Sequence, residues 1–252
     1  MRVALAQLRI SPDKDVNIMK ALSLIKRSLQ VNADLVVLPE VFNTGFYPHN
    51  YELVDDLDKE LEFILKLSQQ KDIVIVGGVA EKEENKLYNT AIVIYQGKII
   101  GKYRKTHLFP LTSEKEYFTP GNELKVFDTP VGKLGIMICY EVRFPEIARK
   151  LVRMGAEMLI TIAEFPPQRI EHWTALLKAR AIENQIYVIG VNCVEGDLKY
   201  PGKSMLVDPL GNTIVEAGNL QEVIMADIDL GMVEEVRRKF PFLNDLREEI
   251  VK

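Results

Sequence analysis

Cys139 closes the apolar run Leu134-Gly135-Ile136-Met137-Ile138 and opens the polar stretch Cys139-Tyr140-Glu141-Val142-Arg143-Phe144-Pro145-Glu146. The run reads as a buried strand, and Pro145 suits the first turn of a helix, so the thiol is expected at a strand-to-helix turn. Facing the positive end of a helix, such a thiol should have a lowered pKa and be open to attack a carbonyl. A lone cysteine is more often a small buried hydrophobe. Two distant motifs change that reading. Leu35-Val36-Val37-Leu38-Pro39-Glu40 delivers a carboxylate just after an all-apolar strand, where a solvated strand-end charge would be the plainer alternative. Gly101-Lys102-Tyr103-Arg104-Lys105-Thr106-His107-Leu108-Phe109 is a strand and turn rich in basic residues, and its local pattern does not choose among Lys102, Arg104, Lys105 and His107. A carboxylate, a cation and a thiol brought to one sheet edge supply a base, an oxyanion partner and a nucleophile for acyl transfer.

Such groups need strands to carry them. By β-branched content, strands are expected at Val3–Leu8, Leu35–Leu38, Ile73–Val79, Asn89–Tyr95 and Lys98–Tyr103. Five more are expected at Leu134–Ile138, Met158–Ile162, Ile186–Asn192, Lys203–Val207 and Val223–Ile228. Gln96-Gly97 separates two apolar runs as a hairpin turn. Helical spacing is clearest in Val16–Val31, with Val16, Met19, Leu22, Ile25 and Leu29 on one face, and recurs in Leu57–Leu67, Pro145–Met154 and His172–Ile182. Hairpin-linked and helix-separated strands together predict an α/β fold with mixed sheets.

Composition bounds the class. The 252 residues, 47% hydrophobic and 27% charged, can bury a large core. Nothing marks a linker, so positions 1–252 read as a single domain with a tail from about 230. A net charge of −4, with both signs interspersed, gives no basic face for nucleic acid. Cys139 and Cys193 are the only cysteines, which points to a reducing, cytoplasmic setting rather than a disulfide framework. The chain enters a strand at once, with no leader pattern, and no apolar run is long enough to span a membrane. The three histidines, at 49, 107 and 172, form no close ligand pair, and there is no C-x-x-C, so no metal is expected. Phosphate-binding glycine loops and a G-x-S-x-G elbow are also missing, and no cofactor is called for.

The three motifs, in this order, resemble the nitrilase superfamily of carbon–nitrogen hydrolases, from Val3-Ala4-Leu5-Ala6-Gln7 to about Asp229. That resemblance implies a four-layer α-β-β-α sandwich of two mixed sheets flanked by helices. It implies a Glu-Lys-Cys triad of Glu40, Lys105 and Cys139, and it singles out Lys105 by matching Tyr103-Arg104-Lys105-Thr106-His107-Leu108. His107 then becomes a supporting residue. An additional glutamate of the family matches Glu114, with Glu116 two residues away as the competitor. The oxyanion would be met by Lys105 and the backbone N–H of Tyr140. Relatives of this type are dimers or larger, which makes Pro145–Met154, His172–Ile182 and the tail segment Phe240-Pro241-Phe242-Leu243-Asn244-Asp245 the expected contacts.

The segment from His172 to Gln185 and the stretch after Cys139 resemble the omega-amidase branch, which implies hydrolysis of the terminal amide of 2-oxoglutaramate or succinamate. Arg143 would clamp the substrate carboxylate bidentately. The competing reading is a surface ion pair with Glu141 or Glu146. Glu164, in Ala163-Glu164-Phe165-Pro166-Pro167, is at odds with an anionic substrate if it lines the pocket, and would suit an amine instead. Cys193 reads as a buried hydrophobe, and His172 and Trp173 as packing residues. N-carbamoyl or nitrile hydrolysis uses the same triad. A catalytically silent scaffold of the same fold is the alternative outside the enzymes.

Overall fold

The computed structural model describes residues 1–247, 249 and 250, and positions 248, 251 and 252 lie outside that description. Its strands are β1 (Arg2–Gln7), β2 (Arg9–Ile10), β3 (Leu35–Val37), β4 (Val74–Glu83), β5 (Lys86–Tyr95), β6 (Lys98–Arg104), β7 (Val126–Thr129) and β8 (Gly132–Ile138). They continue with β9 (Met158–Ile162), β10 (Tyr187–Val191), β11 (Val194–Glu195), β12 (Tyr200–Pro201), β13 (Met205–Val207), β14 (Thr213–Glu216) and β15 (Glu222–Asp227). Two six-stranded sheets form, in the orders β15-β1-β3-β4-β5-β6 and β14-β13-β10-β9-β8-β7. Each is parallel at its centre (β1, β3 and β4 in one; β8, β9 and β10 in the other) and antiparallel at its flanks.

The period-two alternation of the central strands builds the layers. In β1, Val3 and Leu5 join Leu134, Ile136, Ile160 and Ile189 of the other sheet in one buried cluster between the sheets. Ala4 and Ala6 point the other way, against Ile18, Ala21, Leu22 and Ile25 of helix α1 (Lys14–Gln30). Met137 and Val188 of the second sheet pack outward on Ile147 and Leu151 of the helix Pro145–Arg153, and on Trp173 and Leu177 of the helix Ile170–Asn184. The expected four-layer α-β-β-α sandwich is therefore the observed one.

Asp13 caps α1, its carboxylate accepting from the amides of Asp15 and Val16, a device worth about 1 kcal/mol. The buried face of α1 differs from the expected one. Val16 and Met19 are exposed, and Asn17, Ile18, Ala21 and Ser28 are buried with Leu22 and Ile25. The stripe is rotated because Asn17 turns inward to bond Ser11 and Asn43. The expected helix over Leu57–Leu67 is split at Leu61 into Leu57–Glu60 and Glu62–Gln69. The hairpin at Gln96-Gly97 is present, with both residues at positive φ (48° and 77°), as its tight turn demands. Short β7 and β14, and the small sheet β12-β11-β2, are too brief to show periodicity in sequence. The C-terminal segment continues as the helix Gly231–Lys239, which buries Val233 and Val236. Among the described residues no helix is long and apolar enough to cross a membrane.

Candidate active site

β3 ends at Val37, and the turn that follows lies flat on β4: Gly78 N–H donates to the Pro39 carbonyl and Phe42 N–H to the Gly78 carbonyl. A Cβ on Gly78 would come within 2.7 Å of the Glu40 Cα, so only glycine lets β4 support this turn. Val41, a β-branched residue, is held at φ 34°, a strained backbone that the packing must enforce. Glu40 is thereby fully buried at the edge of the first sheet.

β6 of the same sheet ends at Arg104, and the next residue turns its side chain inward. Lys105 is 1% exposed, and its Nζ donates to Glu40 Oε1 at 2.8 Å and to Glu114 Oε1 at 2.7 Å. Burial works against the ammonium, but the Glu40 and Glu114 carboxylates outweigh it and hold the Lys105 pKa well above its ordinary value. Asn89 of β5 binds the same two oxygens, its Nδ2 lying 2.7 Å from Glu40 and 3.0 Å from Glu114, while its carbonyl accepts from Lys105 N–H at 2.8 Å. The sequence reading missed Asn89. Its one signal was an amide side chain at the start of an otherwise apolar strand. Glu114 is buried and also accepts from Phe109 N–H at 2.6 Å, whereas Glu116 is exposed.

Cys139 follows β8 of the second sheet, at φ 49°, and begins a short 3-10 turn that runs to Arg143; the α-helix starts at Pro145. The lowered thiol pKa expected from sequence is not what the site provides. Burial and the neighbouring Glu40 carboxylate push the Cys139 thiol well above its ordinary value, against the opposing pull of Lys105. Burial, with the carboxylates, outweighs the dipole of one short turn, so the thiol rests protonated with the Glu40 carboxylate beside it.

Glu141 binds the two halves together. Its Oε1 accepts from the Tyr103 hydroxyl (2.7 Å), Thr106 N–H (2.8 Å), the Thr106 hydroxyl (2.7 Å) and His107 N–H (3.2 Å), while Oε2 accepts from Ile138 N–H at 2.8 Å. A fully buried carboxylate thus ties the Lys105 loop to the Cys139 turn. It is not the ion-pair partner of Arg143 considered from sequence. His107 is exposed and packs near Phe144. Its N–H donates to Glu141, and its Nδ1 lies 2.8 Å from the Thr106 hydroxyl and 3.9 Å from Glu141 Oε1, so it supports the Glu141 network from outside the cavity.

Lys105, Glu114 and Cys139 open into a cavity of about 90 Å³, also lined by Arg143, Glu164, Phe165, Arg169, Asp197 and Tyr200. Room for only a handful of waters suits a small substrate. Arg143 has no carboxylate partner among the described residues; its guanidinium lies 5.4 Å from the Phe165 ring centroid and 3.3 Å from His172 Nδ1. His172 is therefore an exposed neighbour of Arg143 rather than a packing residue, while Trp173 is fully buried against Phe165. Arg169, which the sequence reading passed over, stands over Phe109 at 5.2 Å. Glu164 follows β9, and its N–H donates to Glu40 Oε2 at 2.9 Å, a bond that joins the two sheets. Cys193 is buried in the cluster that packs α1 against the first sheet. Among the described residues no group of three or more His, Cys, Asp or Glu is placed to hold a metal ion.

Two sheets with a carboxylate, a lysine and a thiol at their meeting edge define a hydrolase of the nitrilase type, and residues 2–238 match the carbon-nitrogen hydrolase family model, so the chain belongs to that family. It is 38% identical over 240 residues to the 2-oxoglutaramate amidase of Bacillus subtilis (strain 168), covering 93% of this chain and 92% of that one. Identity to Omega-amidase NIT2 of Xenopus tropicalis is 34%, covering 99% of this chain and 96% of the relative. Among solved structures it is similar to Nit3 of Saccharomyces cerevisiae, a member of branch 10 of the nitrilase superfamily. That likeness has a TM-score of 0.88 at 34% identity, over 96% of this chain and 94% of the other.

Proposed function

We propose that this carbon–nitrogen hydrolase is an omega-amidase, cleaving the terminal amide of small linear compounds that carry a carboxylate, such as 2-oxoglutaramate or succinamate. The observation that carries this reading is Arg143, a guanidinium lining the same cavity as Cys139 with no carboxylate partner among the described residues. The names of the bacterial and frog relatives agree with it.

Glu40 takes the thiol proton as Cys139 Sγ attacks the amide carbon. Because burial favours the protonated thiol, proton transfer accompanies attack instead of preceding it. The oxyanion is met by Lys105 Nζ and the Tyr140 N–H. Glu40 returns the proton to the nitrogen, the C–N bond breaks, and ammonia leaves a Cys139 thioester. Water, deprotonated by Glu40, attacks the thioester; the C–S bond breaks, the acid leaves, and Glu40 returns the proton to the Cys139 thiolate. Glu114 and Asn89 hold Lys105 and Glu40 in register throughout. No step calls on a cofactor.

Ammonia release measured across omega-amides, N-carbamoyl compounds and nitriles tests the reaction. Turnover confined to carbamoyl compounds or nitriles removes the amidase reading, and no turnover of any of them favours the silent scaffold. We further infer a cytoplasmic homodimer or larger assembly, formed through the helices Pro145–Arg153 and Ile170–Asn184 and the segment 240–245. Met154, Ile182 and Phe242 are exposed apolar side chains there. A monomer by light scattering at micromolar concentration removes that assembly.

A further inference from the structure

Glu164 is 3% exposed, lines the cavity, and has no hydrogen bond of standard geometry at either carboxylate oxygen. The groups that face it are Glu40 in the turn after β3, Asp197 from the loop after β11, Tyr200 of β12, Cys193 just before β11, and Tyr47 and Tyr51 from the segment after the Glu40 turn. None of these is a cation. None of the cavity's cations pairs with Glu164 among the described residues: Lys105 is shared by Glu40 and Glu114, and Arg143 and Arg169 lie over Phe165 and Phe109. No ion pair reaches Glu164 among the described residues. An ionised Glu164 would add a buried, uncompensated charge beside Glu40, at a cost no neighbour offsets.

We propose that Glu164 works as a neutral carboxylic acid whose O–H donates a hydrogen bond to the distal polar end of the bound amide. This rests on reading the cavity as an amidase site for carboxylate-bearing substrates. It removes the conflict between a glutamate in the wall and an anionic substrate, because a protonated carboxyl attracts an acceptor where a carboxylate repels it. Burial, then Glu40 and Asp197, push this carboxyl well above the usual carboxylate range, with the Tyr200 hydroxyl and the Phe46 amide only partly opposing. Glutamine keeps a neutral donor and nearly the same volume, so Glu164→Gln separates the effect of the proton from that of the charge.

Two measurements test it. Infrared difference spectra of wild type against Glu164→Gln at neutral pH should show a protonated-carboxyl stretch that the variant lacks, whatever the enzyme's activity. The kcat/KM for succinamate should fall by about tenfold per pH unit on an alkaline limb that uncharged butyramide does not share, and that Glu164→Gln loses. An absent carboxyl band overturns the proposal. So does an alkaline limb common to both amides, which places the titrating group at the reacting centre, or a large gain for succinamate in Glu164→Gln at neutral pH, which means that the charge is already present. Failure of the amidase reading itself looks different: neither amide is hydrolysed at any pH, while the infrared band still decides the state of Glu164.

Discussion

Lys105 Nζ lies 2.8 Å from Glu40 Oε1, so the cation and the carboxylate are already an ion pair before a substrate arrives. With Glu114 on the same ammonium at 2.7 Å, one positive charge serves two buried carboxylates. Asn89 donates to both, while the Glu164 N–H donates to Glu40 and the Phe109 N–H to Glu114. The arrangement pre-sets the distances that acyl transfer needs and stores the site's electrostatics in a network in which no member acts alone.

Lys105→Met should therefore do two things. It removes an oxyanion donor, a loss on the order of 3 kcal/mol in transition-state stabilisation. It also leaves Glu40 and Glu114 buried without their cation, which should lower stability by about 3–5 kcal/mol. Glu40→Gln keeps the volume and should block both acylation and deacylation while unfolding at a temperature closer to wild type. Kinetics paired with thermal melts checks this. Near-normal turnover by either variant removes that residue from the triad.

Cys139→Ala should abolish turnover with little change in melting temperature, because the side chain stands at the cavity wall. Cys193→Ala should retain most activity, and its thiol should be alkylated after that of Cys139. Mass spectrometry of iodoacetamide-treated protein decides the order. Alkylation of Cys139 should accelerate with rising pH, since its thiol is held above the ordinary range by burial and Glu40. A fast, pH-independent reaction in the neutral range would mean a standing thiolate.

Cys139 and Glu40 were legible in the sequence because each follows an all-apolar strand, and a polar residue placed there has to sit at a sheet edge. Lys105 was not legible alone, since three basic neighbours share its turn and only the family resemblance separated them. Asn89, Glu141 and Gly78 carry equal weight in the geometry and left almost no trace. Asn89 meets Glu40 across 49 residues and Glu141 meets Tyr103 across 38, distances that no periodicity encodes. The lowered thiol pKa failed for the same reason: a local turn was visible, while the carboxylates opposing it came from the other sheet. The α1 face was read from Val16, Met19, Leu22, Ile25 and Leu29 alone, and the apolar spacing carried no sign that Asn17 turns in to bond Ser11 and Asn43.

Glu81 gives a stability prediction with a definite sign. It is 2% exposed and accepts from Thr90 (2.7 Å), Lys102 (3.0 Å) and Arg104 (3.0 Å), bracing the β4–β5–β6 ribbon just before Lys105. Burial raises its pKa, but the bonds from Arg104, Thr90 and Lys102 win and hold it below the ordinary 4.5. A depressed carboxylate contributes stability above its unfolded pKa and loses it as pH falls through the folded one. Glu81→Gln should thus lower the melting temperature at neutral pH, with the gap to wild type closing below about pH 4.5. A gap that persists unchanged in acid would assign the loss to packing instead.

Arg143 tests the substrate through geometry. If its guanidinium clamps a carboxylate, Arg143→Lys replaces a planar two-point fork by a single point charge, so KM for succinamate should rise far more than KM for butyramide. Truncating a charged hydrogen bond of this kind costs about 1.5–3 kcal/mol, which corresponds to roughly a tenfold to hundredfold change for the anionic amide. The value of kcat should change less, because Arg143 approaches the far end of the substrate rather than the reacting carbon. Equal effects on the charged and neutral amides would strip the omega-amidase reading of its physical basis and leave an amidase of other preference. Arg169 is the internal control: it lines the same cavity over Phe109, and an equal, selective loss in Arg169→Lys would divide the carboxylate between two guanidiniums instead of assigning it to one.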